Sequence, residues 1–210
     1  MEILQYIATA ILAYLLGSIP TGFLVARSRG IDIRTVGSGN IGATNAFRML
    51  GKPAGTLVLL GDALKGFIAC TGISFASEVS GQEFHAMVAG LFVILGHNYT
   101  CWLKFKGGKG IATTAGVLLA LVPLGLLLAL AVWLITFVLS RYVSLASIAT
   151  ALCLPFAVWL TRSSPSLVLL MAIFSSLAIY KHRANIQRLL NGTEHRFGAK
   201  KTPSPTASPS

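Results

Sequence analysis

Residues 104–114 read KFKGGKGIATT, three lysines among glycines and threonines, pressed between long apolar runs. At Gly107, Gly108 and Gly110 no Cβ blocks the approach of backbone N–H groups to an anion, the helix start that follows adds positive partial charge, and Lys109 supplies a full charge. The chemistry this suits is capture of a phosphoryl group at a membrane surface. It is not a Walker-type nucleotide loop, because Gly110 stands where a Ser or Thr should follow the lysine. On its own the segment would read equally as a flexible loop carrying inner-face lysines.

Two further segments share its character. Residues 34–48, RTVGSGNIGATNAFR, offer Ser38, Gly39, Asn40, Gly42, Thr44 and Asn45 as a dense set of short donors and backbone amides, followed by Arg48. The same residues suit a turn that starts an interfacial helix, with Asn40 or Thr44 as its cap. Residues 181–194, KHRANIQRLLNGTE, place His182, Asn185 and Arg188 three apart, along one face if the segment is helical. A single histidine at a membrane edge is usually interfacial; three polar positions facing two other anion-binding segments point to a shared site. Ser144 and Ser147, also three apart and beside Arg141, open onto the same side.

What is missing narrows the reaction. Asp32 and Glu194 are the only acids in the loops that carry these three segments, too few to hold the metal ions of a metal-dependent phosphotransferase. No His is followed five positions later by Asp; His97 meets Trp102 at that offset, so the HxxxxD acyltransferase motif is absent. The reaction must therefore run on anion binding and positioning, with neither metal nor cofactor. Within the apolar runs, Asp62 and Lys65 lie on one helical face and are expected to pair, because an unpaired charge at that depth is costly. Cys70, Cys101 and Cys153 match no metal-site spacing and read as packing residues.

The elements that position these groups are membrane helices. With 54% hydrophobic residues, 11% charged and a mean hydropathy of +0.75, 210 residues cannot cover a soluble globule. Apolar runs lie near 3–26, 54–77, 84–102, 111–139, 144–161 and 165–181. The fourth is long for one crossing and carries Pro123 and Gly125 near its middle. If it folds back at Val122 and Pro123, 15 of the 17 Lys and Arg fall on one face, leaving Lys65 in a span and Arg162 in an outer turn, while the outer segment near 77–83 carries Glu78 and Glu83. The expectation is an all-α integral membrane protein with seven transmembrane helices, the N-terminus outside and the C-terminus cytoplasmic. Because the two helices made from that run are short, the glycine loop is expected to dip below headgroup level, where irregular backbone is tolerated in a cavity. Residues 1–198 form one membrane domain, and the Pro/Ser/Thr-rich 199–210 a disordered tail. The net charge of +11 reflects membrane orientation and favours anionic substrates and lipids; no nucleic-acid motif is present.

Taken together, GSIPTG at 17–22, GSGNIGATNAFR at 37–48, GHNYTCWLKFKGGKGIATT at 96–114 and HRANIQRLLNGTE at 182–194 closely resemble the bacterial acyl-phosphate:glycerol-3-phosphate acyltransferase family, the PlsY family. The resemblance covers essentially the whole chain except the tail, with the three cytoplasmic motifs in order. It implies transfer of a fatty acyl group from acyl-phosphate to the 1-hydroxyl of sn-glycerol 3-phosphate, giving lysophosphatidic acid and phosphate. It also implies a seven-helix fold in the bacterial cytoplasmic membrane, an active site facing the cytoplasm, and coupling to a soluble enzyme that makes the acyl-phosphate. Carried over to matching positions, Ser38, Arg48, Lys109, Ser147, His182 and Asn185 become the catalytic set. Gly39, Asn40, Gly42, Asn45, Gly107, Gly108, Gly110, Arg188 and Glu194 become the substrate-binding set. A phosphate oxygen of the substrate would act as base, in keeping with the scarcity of carboxylates. A transporter for a phosphorylated solute would need polar groups reachable from both faces, and a lipid-binding scaffold would not need three converging glycine-rich segments.

Overall fold

The computed structural model describes residues 2–73, 82–161 and 163–198. The expected disordered tail, Arg162 and residues 77–81 of the outer segment, Glu78 among them, lie outside them. Among the described residues every regular element is helical. The first span, Glu2–Arg27, is broken where Pro20 denies the backbone an amide, giving α1 (Glu2–Ser18) and α2 (Thr21–Arg27). A loop leads to the short α3 (Ala43–Leu50), and α4 (Lys52–Ile68) runs on through a π-helical turn, Ala69–Ile73. Then come α5 (Gln82–Asn98), α6 (Ile111–Leu121), α7 (Pro123–Ser140), α8 (Val143–Leu160), α9 (Pro165–Lys181) and α10 (Arg183–Leu190).

The long apolar run does break at Val122, whose φ of −146° and ψ of 72° leave the helical region, with Pro123 starting α7. α6 then packs on α4, and α7 on α8. Five helical segments are long and apolar enough to cross a bilayer, or six when α9 and α10, bent by 56°, count as one. The remaining expected crossing is α6. Its 11 residues rise only about 16 Å, roughly half a hydrocarbon core.

Tight helix contacts rest on small residues, as they do where lipid gives no hydrophobic incentive to associate. A Cβ on Gly116 would strike the Ala63 carbonyl, so α6 lies backbone to backbone on α4. α5 is central, with 61% of its span buried, whereas α7 has 11% and presents Leu134, Ile135, Val138 and Leu139 outward. The main core joins α1, α5, α6, α7, α8 and α9 through residues such as Val93, Val117, Val158 and Met171. A smaller cluster of Ala26, Ile33, Ile41, Ala46, Val58 and Leu103 supports the loop before α3.

Candidate active site

The glycine loop doubles back along the end of α5. Lys104 and Phe105 take left-handed backbone conformations in succession, reversing the chain. The Gly107 amide then donates to the Asn98 carbonyl (3.2 Å) and the Gly108 amide to the His97 carbonyl (3.0 Å). Lys109 thereby follows two residues tied to the last carbonyls of α5. Lys181 at the end of α9 donates to the same Asn98 carbonyl (2.8 Å) and lies over the Tyr99 ring, linking this loop to the last basic segment.

Lys109 donates to the side-chain oxygen of Asn185. Asn185, buried, donates in turn to Glu194 Oε1 (2.9 Å), which also accepts from the Ser144 hydroxyl (2.9 Å), and Arg188 Nε donates to Glu194 Oε2 (2.7 Å). Burial would push the Glu194 carboxyl up, but the hydrogen bonds from Asn185, Arg188 and Ser144 outweigh it and hold it below its ordinary value. Desolvation brings the Lys109 ammonium down to about 8; Glu194 opposes this, and Arg188, Lys181 and Arg48 add to it. Arg48 is lowered by desolvation, with Glu194 opposing and Arg188 adding. Cations from all three basic segments thus share one electrostatic environment, with Glu194 as counter-charge.

His182 stands at the bend between α9 and α10, so the last segment is not the continuous helix its spacing suggested. Its Nδ1 faces the Ala178 carbonyl (2.8 Å) and must carry hydrogen there, leaving Nε2 as the ring atom free to meet a ligand.

In the first basic segment, Asn45 is a staple. Its amide nitrogen donates to the carbonyls of Asn40 (2.9 Å), Val36 (3.1 Å) and Ile33 (3.3 Å), while its oxygen accepts from the Ser38 amide (3.0 Å). Asn40 Oδ1 accepts from the Gly42 amide (2.8 Å), and the helix cap is Gly42 rather than Asn40 or Thr44. Ser38 is exposed and Gly39 turns the chain at φ 68°. These groups make their hydrogen bonds within their own loop; Arg48 is the member whose charge reaches the other segments.

Beneath the polar cluster lies an apolar cavity of about 70 Å³ between α6, α7, α8 and α9. Ile111, Trp133, Ser147 and Ala178 line it toward the cluster, and Leu118, Leu154 and Phe174 line it deeper in. Ser147 donates to the Val143 carbonyl (2.9 Å) and accepts from the Trp133 indole (3.3 Å). Trp133 stacks on Phe137, which meets Phe197 edge-on, and the Phe197 amide donates to the Arg141 carbonyl (2.8 Å), so the chain after α10 straps back over the start of α8. Trp133, Lys181 and Phe197 were not singled out from the sequence. An indole N–H inside an apolar run was the available signal, since it needs an acceptor. Among the described residues no group of three or more His, Cys, Asp or Glu side chains gathers in a way that could hold a metal ion.

A family model described as glycerol-3-phosphate acyltransferase matches residues 7–192. Proteins named glycerol-3-phosphate acyltransferase are 49% identical over 185 residues in Geotalea daltonii, covering 88% of this chain and 94% of theirs, and 45% identical over 204 residues in Clostridioides difficile, covering 96% and 100%. A crystal structure of PlsY, an integral membrane glycerol 3-phosphate acyltransferase in its glycerol 3-phosphate form, superposes with a TM-score of 0.86 at 42% identity over 92% of this chain and 96% of that one. Its lysophosphatidic acid form gives 0.84 at 41%, over 92% and 95%.

Proposed function

The chain belongs to the PlsY family of glycerol-3-phosphate acyltransferases, and from that premise we propose that it transfers a fatty acyl group from acyl-phosphate to the 1-hydroxyl of sn-glycerol 3-phosphate. The observation that carries this reading is the meeting of a cationic cluster, Lys109, Arg48 and Arg188, with an apolar cavity that starts at Ser147. An acyl-phosphate has those two ends. The first carbons of its chain suit the cavity and its phosphate the cluster, which sets the carbonyl carbon between them.

In the proposed reaction the substrate hydroxyl oxygen bonds to that carbon, the bond from carbon to the phosphate oxygen breaks, and the hydroxyl proton leaves with the released phosphate. In this reading the free Nε2 of His182 orients the glycerol, Asn185 holds Lys109 against Glu194 and meets the glycerol once Lys109 turns to phosphate, and Lys109 and Arg48 neutralise phosphate charge. The Ser38 hydroxyl, the Asn40 side chain and the Gly110 amide orient oxygens; the amides of Gly107, Gly108, Gly39 and Gly42 are taken by Asn98, His97, Val36 and Asn40, so these glycines act by shaping their loops, and Asn45 by holding its own. Ser147 contributes once its hydroxyl turns from Val143 to the substrate. Because a mixed anhydride already carries a good leaving group, no covalent intermediate is needed.

The proposed topology is seven crossings, with α6 as one and its glycine loop outside it on the cytoplasmic side, the N-terminus outside and the site open to the cytoplasm, in the bacterial inner membrane. Acyl-phosphate would then arrive from a soluble enzyme. Purified protein incubated with palmitoyl phosphate and glycerol 3-phosphate should form lysophosphatidic acid and release phosphate in equal amounts. Phosphate release independent of glycerol 3-phosphate would mark a phosphatase and end this reading.

A further inference from the structure

Asp62, Lys65 and His97 are each 5% exposed or less and lie together between α4 and α5, behind the glycine loop. Lys65 Nζ is 2.9 Å from Asp62 Oδ1, and His97 Nδ1 is 3.5 Å from the same oxygen. Lys65 also donates to the Ile19 carbonyl (3.1 Å) at the break in the first span. The other edge of the imidazole faces the loop: a Cβ built on Gly108 would fall on His97 Nε2, Cε1 and Cδ2. His97 therefore meets Gly108 twice, through its carbonyl and through its ring, one residue before Lys109.

We propose that Asp62, Lys65 and His97 are a positioning unit that sets the Gly108 backbone, and through it Lys109, for phosphate. This rests on the reading of the glycine loop as a phosphate holder. Buried ion pairs are poor stabilisers compared with apolar residues of the same volume, so helix packing alone gives no reason for a charged trio here. A directional contact does. Asp62 Oδ1 stands 3.5 Å from Nδ1, an ion-pair approach rather than a hydrogen bond, Lys65 ties the carboxylate to the broken helix, and the loop is seated against the Nε2 edge that remains. The absent side chain at Gly108 is the space into which the imidazole fits.

The test uses inorganic phosphate and the rise it causes in the unfolding midpoint of the full-length protein in detergent, which reports binding without turnover. Asp62→Asn alone strands the Lys65 ammonium, so the pair is replaced together as Asp62→Leu/Lys65→Met. The expected result is a midpoint without phosphate at or above wild type, with the apparent phosphate Kd weakened at least about fivefold. A Kd within about twofold of wild type overturns the proposal. Should this variant fail to fold, a cycle of His97→Ala and Gly108→Ala decides. Gly108→Ala weakens phosphate binding in the wild-type background, and much less where the ring it strikes is gone; additive losses overturn the proposal. A wild-type protein that phosphate does not stabilise overturns it as well. Wild-type protein that binds phosphate yet makes no lysophosphatidic acid ends the reaction proposed above and leaves the positioning unit standing.

Discussion

Lys109 and Asn185, 76 positions apart, are joined by a hydrogen bond from the ammonium to the amide oxygen, and the same amide passes the contact on to Glu194. The cation of the glycine loop is thus oriented by the last basic segment, with the single carboxylate of Glu194 shared among several cations.

Replacing Lys109 with Met keeps the stem and removes the ammonium. A charge-assisted hydrogen bond to phosphate contributes about 1.5–3 kcal/mol, so kcat/KM for acyl transfer should fall roughly 10- to 150-fold. Phosphate release from palmitoyl phosphate with glycerol 3-phosphate measures it, and near-normal turnover would remove Lys109 from the site.

The Lys109 ammonium, lowered to about 8, is lost earlier than an ordinary lysine as pH rises. It is charged below that value and neutral above it, so kcat/KM should be flat on the acid side and decline on the alkaline side. Lys109→Arg should remove this decline, because a guanidinium stays protonated beyond about pH 12. An unchanged alkaline limb in that variant would assign the titration to another group.

Glu194 raises the Lys109 value and accepts from Ser144, Asn185 and Arg188. Glu194→Gln turns an amide toward one of those donors and removes the counter-charge. Two effects are expected: kcat/KM lower by about tenfold, and an alkaline decline that begins at lower pH than in wild type. A pH profile that does not move would deny the coupling.

Ala151 lines the apolar cavity and is buried. Ala151→Trp should fill it, raising KM for palmitoyl phosphate by about tenfold or more while the affinity for inorganic phosphate stays near wild type. Equal losses in both would place the acyl chain elsewhere.

Topology is checked by cysteine labelling in a background lacking Cys70, Cys101 and Cys153. A cysteine in place of Glu2 should react with an impermeant maleimide on intact cells, and one in place of exposed Lys106 only after permeabilisation. The opposite pattern would invert the proposed orientation.

The amino-acid sequence alone determined the class of molecule, because too few polar residues exist to cover a soluble surface and because charge concentrates in short interruptions of apolar runs. It also determined the break at Val122, where proline cannot continue the helix, and the pairing of Asp62 with Lys65, which helical spacing and the cost of a buried charge require together. Only the tertiary structure decided which groups meet. The contacts of Lys109 with Asn185, of Trp133 with Ser147 and of His97 with Gly108 each join separate segments, and local periodicity carries no information about which helix faces which. The return of the glycine loop along α5, the bend at His182 and the use of Asn45 as a staple arise in the same way. Each is set by the backbone groups that packing leaves without partners, and those are known only once the helices are side by side.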